Sequence, residues 1–124
     1  MTTNNSIAEK NKLLDHTTVL NKQLESNYIA LGIALLEVQE TEAFREAGYE
    51  DFASYYRNEL GREKSTVSRL LGVARWLKEN KLPEATVSYR KLDVAIRAYP
   101  NKDAGYILAA AENNTIDELR DEHR

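Results

Sequence analysis

The chain has 124 residues, a formal net charge of -3 and no cysteine, which fits one domain with a modest core and excludes a disulfide framework or a thiolate metal site. The start MTTNNSIAEKNK lacks an apolar stretch of signal-peptide length, and no later run approaches the roughly 20 apolar residues of a membrane span. A cytoplasmic protein without membrane attachment is expected.

Charge is unevenly distributed. Residues 1–56 carry 4 Lys/Arg against 9 Asp/Glu, residues 57–91 carry 9 against 4, and residues 92–124 carry 4 against 7. The middle third alone has the balance of a polyanion binder, flanked by two acidic segments.

Residues 1–5 are polar and are expected to form a loose tail, leaving 6–124 as one helical domain. Ser6-Ile7-Ala8-Glu9 matches a capping box at a helix start. Leu13, Leu20, Leu24, Tyr28, Leu31, Leu35 and Val38 then fall along one side, mostly three and four apart. The pattern fits one helix of about thirty residues or a pair broken near Ser26-Asn27, and Gly32 lowers helix propensity further. The stripe drifts and is interrupted by Thr17, so packing within the chain is expected ahead of a long coiled coil.

The acidic run from Glu37 to Glu46 should close at Ala47-Gly48, where Gly suits a left-handed helix end. Asp51 is a natural N-cap for a helix through Leu60 that buries Phe52, Tyr55 or Tyr56, and Leu60. Gly61 makes a turn into a helix from about Lys64 to Glu79, with Val67, Leu70, Leu71, Ala74 and Leu77 inward. Its outer face carries Ser65, Ser68, Arg69, Gly72, Arg75 and Trp76, with Trp76 expected to be partly buried.

Pro83 marks a connector from Asn80 to Val87. Ser88 can cap a helix holding Leu92, Ala95, Ile96 and Tyr99 inward, which Pro100 stops. Asn101 can cap a helix from Lys102 to about Glu112, with Tyr106, Ile107, Ala110 and Ala111 apolar. Thr115-Ile116-Asp117-Glu118 is a second capping-box match opening a terminal helix with Leu119. No strand-like alternation or hairpin turn is present, so the fold class is all-α: a compact multi-helix domain with a long N-terminal helix or helix pair.

The segment from Asp51 to Glu79 has the layout of a helix-turn-helix, whose second helix lies in a major groove about 12 Å wide. Leu60, Gly61, Val67 and Leu70 supply the apolar and small residues that such packing needs. Arg57 and Arg62 depart from its commonest form, standing where a small and an apolar residue are usual.

The stretch GREKSTVSRLLGVARWL resembles the helix-turn-helix of ParB/KorB-type partition proteins, with a basic residue after the turn Gly and a Ser-x-x-Val-Ser-like opening. Upstream, LGIALLEVQETEAFREAGYEDFASYYRNELG is similar to a pattern common in phage and plasmid proteins, and NNTIDELRDE resembles helices behind the ParB-like motif. Together the similarities span roughly residues 31–122. No ParB-type nucleotide-binding domain with its arginine-rich box is seen, so neither clamp loading nor CTP hydrolysis is implied.

The resemblance implies sequence-specific binding of double-stranded DNA by a transcriptional regulator or partition accessory of a mobile element. It places Lys64, Ser65, Ser68 and Arg69 at positions that reach base edges or nearby phosphates, with Gly72 allowing close approach. Arg57, Arg62, Arg75 and Lys78 become phosphate contacts, and Arg90 and Lys91 extend the footprint. All these cations are expected to converge on one outward surface. The segment Ser6 to Glu25 is the best surface for a homodimer.

The rival is a protein-binding module, such as a mobile-element inhibitor of a host nucleic-acid-processing complex, acting through acidic faces at 37–51 and 112–122. A purely structural helical adaptor is a third reading. Catalysis is not expected, since His16 and His123 have no partners at metal-site spacing and no nucleophile motif or phosphate-cradling glycine loop occurs. Neither metal nor cofactor is expected.

Overall fold

A computed structural model describes the backbone of residues 3–82 and 87–123, with side chains for all of these but 3–6, 21–22 and 122–123. Every regular element among them is helical: α1 (Thr3–Thr41), a 3-10 turn (Ala43–Arg45), α2 (Phe52–Asn58), α3 (Lys64–Glu79), α4 (Tyr89–Ala98), α5 (Ala104–Asn113) and α6 (Ile116–His123). The all-α expectation holds. Pro83, the capping-box side chain of Ser6, residues 1–2 and the His123 side chain lie outside the described residues.

Of the two arrangements open for the N-terminal stripe, the chain adopts one continuous helix of 39 residues. It begins at Thr3, so residues 3–5 belong to α1 and not to a tail. Ser26 and Asn27 are exposed and cost α1 up to about 0.7 kcal/mol each in propensity. Packing just beyond them outweighs that, because Ile29, Leu35 and Leu36 are buried in the same core cluster as Leu70, Leu71, Ala74 and Leu77 of α3.

The expectation that the whole stripe packs within the chain fails for its first half. Leu13 is 64% exposed, Leu20 50% and Leu24 49%, although they share a helical face with the buried Leu35. The cause is a shortage of neighbours. The later helices gather around α1 beyond Glu25, and no described element covers the turns before it.

Gly32 explains how closely the two main helices meet. A Cβ built there would lie 2.7 Å from the Leu70 carbonyl oxygen, so only glycine permits this approach. Contacts advance in the same sense along both helices: Gly32 beside Leu70, Gln39 beside Arg75, Glu40 beside Lys78. α4 packs against both α1 and α3, with Tyr28 and Tyr89 5.4 Å apart between ring centroids, and Leu92 and Ala95 of α4, Ile107 and Ala111 of α5, and Leu119 of α6 are almost wholly buried and complete the core.

The ends of the helices follow local chemistry. Asp51 accepts from the Ser54 amide at 2.7 Å, and that hydrogen bond holds its carboxyl below the ordinary 3.8. Ser88 accepts from the Lys91 amide, and Thr115 and Glu118 form the expected reciprocal capping box at 3.2 and 3.1 Å. The cap of α5 is Asp103, not Asn101: the turn closed by Lys102 N–H on the Tyr99 carbonyl uses Pro100 and Asn101, and Asp103 then accepts from the Tyr106 amide at 2.8 Å. α3 closes with Lys81 in the left-handed region and Leu82 N–H reaching back to the Leu77 carbonyl at 2.7 Å.

Candidate nucleic-acid interface

The segment Asp51 to Glu79 forms two helices joined by a turn. α2 ends at Asn58, two residues before Leu60, which is half-buried in the turn that follows. Gly61 has φ 63°, a conformation that suits glycine, and Arg62 N–H donates to the Tyr56 carbonyl at 3.0 Å. An aromatic cluster seats α2: Tyr56 is buried, and its ring lies edge-on to Phe52 at 5.2 Å. Arg57 points away from the core and is exposed, so no small residue is needed at its position.

α3 spans the expected residues, and its inward face is as expected, with Val73 buried in addition. Trp76 is half-buried against the core. Ser65, Ser68, Arg69, Gly72 and Arg75 are exposed, as are Arg62, Lys64 and Lys78 around them.

These side chains nevertheless do not form one surface. Arg75 lies six positions after Arg69, which sets the two roughly 120° apart around the helix. Arg75 donates to the Gln39 Oε1 at 2.8 Å, and Lys78 Nζ lies 2.8 Å from the Glu40 carboxylate, so α1 engages both. The expectation of a single convergent cationic face is corrected to a division. Cations in the second half of α3 turn towards the acidic end of α1, while those in the first half stay free.

In that first half, Lys64, Ser65, Ser68 and Arg69 make no side-chain hydrogen bond or ion pair among the described residues. Glu63, at the N-cap, supplies no side-chain cap, and no side chain among the described residues accepts from the opening amides of α3. Arg57 and Arg62 stand before this end, exposed.

Arg69 and Arg90 are brought together, because both line a cleft bounded by α1, α3, α4 and α6. Lys91 does not line it and is half-buried. The same cleft holds Arg97 and Arg120, which the sequence reading passed over. Arg97 had a signal, since it follows Arg90 by seven residues and therefore shares its helical face. Arg120 had none, as its placement depends on how α6 folds back.

The acidic faces are partly engaged by the chain itself. Glu40 pairs with Lys78, Glu42 with Arg45 at 2.9 Å, and the Glu118 carboxylate accepts from the Thr115 amide at 3.1 Å. His16 is exposed on α1, and no group of three or more His, Asp or Glu among the described residues is placed to hold a metal. No described helix is long and apolar enough to cross a membrane. No family model, curated protein or solved structure matches the chain.

Proposed function

We propose that this chain binds double-stranded DNA with the α2-turn-α3 unit, as a regulator or partition accessory of a mobile element. One observation carries the reading: the exposed first half of α3 is a basic and hydroxylic surface whose Lys64, Ser65, Ser68 and Arg69 side chains and opening amides have no side-chain partner among the described residues. Helix-turn-helix proteins present the corresponding part of the second helix to base edges, and helix N-termini favour phosphate.

In this reading Ser65, Ser68 and Arg69 face the bases, and Lys64, Arg62 and Arg57 hold the backbone. Arg75 and Lys78 drop out of the contact set, because α1 already engages them. The exposed leucines of α1 support pairing of two copies, and the equal count of three lysines and three carboxylates over residues 7–25 leaves no net repulsion between them. A two-fold DNA site follows from such a pair. The acidic faces offer less to a protein partner, since the carboxylates of Glu40, Glu42 and Glu118 are committed within the chain.

Fluorescence polarization with duplex fragments from the chain's own locus tests this. Binding should weaken steeply with salt, and Lys64→Ala with Arg69→Ala should lose at least about tenfold in affinity and flatten the salt slope. Arg75→Ala with Lys78→Ala should change it little. A folded Lys64→Ala, Arg69→Ala variant that binds like the parent rejects the proposal, as does a parent that ignores every fragment.

A further inference from the structure

Four arginines from three helices open onto one cleft: Arg69 of α3, Arg90 and Arg97 of α4, and Arg120 of α6. Its volume of about 380 Å³ falls within the usual range for small-ligand sites, roughly 300 to 1,000 Å³. Like charges gathered this way repel one another, so the cleft needs anions to settle it. The chain supplies only some.

Asp93, 9% exposed, lines the cleft and takes Arg97 Nη2 at 2.7 Å, which fixes that guanidinium and cancels its charge. Glu25 stands beside the cleft, its Oε2 accepting the Arg90 amide at 3.3 Å. Four guanidinium charges against two carboxylates leave an excess of two positive charges. Arg69, Arg90 and Arg120 form no ion pair or side-chain hydrogen bond among the described residues, so their donors remain unspent.

That excess matches the charge of a phosphomonoester, about -1.5 to -2 at pH 7, better than the single charge of a backbone phosphodiester. Arginine forks suit phosphate oxygens. The cleft also has apolar wall from Leu70, Val94 and Ile116, against which a carbon body can rest. Tyr89, another lining residue, is pushed up to about 12 chiefly by burial, so its hydroxyl stays a neutral donor across the physiological range.

The geometry points to a binding site for a small phosphomonoester, gripped by Arg69, Arg90 and Arg120, with Arg97 held in place by Asp93. This site is independent of the DNA reading, although Arg69 stands at the border of both surfaces. Its ligand is a free small molecule, and backbone phosphodiester is the competing source of the same chemistry.

Calorimetric titration with methyl phosphate and with dimethyl phosphate, at matched ionic strength, separates the two sources. The expected result is saturable binding of methyl phosphate, at least tenfold tighter than dimethyl phosphate. Arg90→Gln with Arg120→Gln should lose at least tenfold, while Lys64→Ala, chosen from the DNA surface, should leave phosphate affinity unchanged. Both substituted arginines are exposed, and Arg120→Gln alone carries the same test should the pair lose helicity by circular dichroism. No saturable binding, equal affinity for the two esters, or a folded arginine variant that binds like the parent would overturn the assignment. A parent chain that binds methyl phosphate but no DNA duplex would reject the DNA reading alone.

Discussion

The two halves of α1 carry one leucine stripe and meet opposite surroundings. Leu13, Leu20 and Leu24 project into solvent, whereas Leu35, on the same face, is 2% exposed against the body of the protein. Periodicity alone therefore specifies the helix and its apolar side but not what covers that side. Coverage depends on which other helices can reach it, and here α3 and α4 reach only the portion from Glu25 onward.

The sharpest way to break this contrast is to cut the same side chain from both halves. Leu35→Ala should cost about 2 to 5 kcal/mol in urea unfolding, the range for a buried leucine that leaves a cavity. Leu20→Ala should stay within about 0.5 kcal/mol at concentrations where the chain is a monomer, as expected for an exposed site. Equal losses would mean that the first half is covered after all. A Leu20 loss that grows with protein concentration in sedimentation would instead assign the cover to a second copy.

Gly32→Ala probes why the second half is held so closely. The added methyl meets the Leu70 backbone at 2.7 Å, so a cost of about 1 to 3 kcal/mol is expected despite alanine's better helix propensity. Thermal unfolding that shows a gain would refute the close approach. The smallest effect is expected at Lys78→Ala, whose ion pair with Glu40 is exposed on both sides and should be worth about 0 to 1 kcal/mol, fading as salt rises.

Much of the fold was legible because its signals are local. Asp51, Gly61, Ser88 and the Thr115 to Glu118 box announce helix ends through chemistry contained in a few residues, and the structure uses each of them. Asn101 misled because a tight turn at Pro100 came first and Asp103 was equally able to cap. The cations of α3 were legible as a group but not as two sets. Their division depends on Gln39 and Glu40 lying alongside, which is a matter of tertiary placement. The arginine cleft was hidden for the same reason, since its members are scattered over 52 positions from Arg69 to Arg120.

The backbone contact at Gly32 gives α1 the character of a lever with a keyed pivot. Turning α1 about its own axis would swing a neighbouring side chain into the Leu70 carbonyl, so the long arm resists rotation independent of α3. Whatever seizes the arm, about 35 Å of helix from Thr3 to Glu25, therefore also sets the attitude of the helix that carries the free cations.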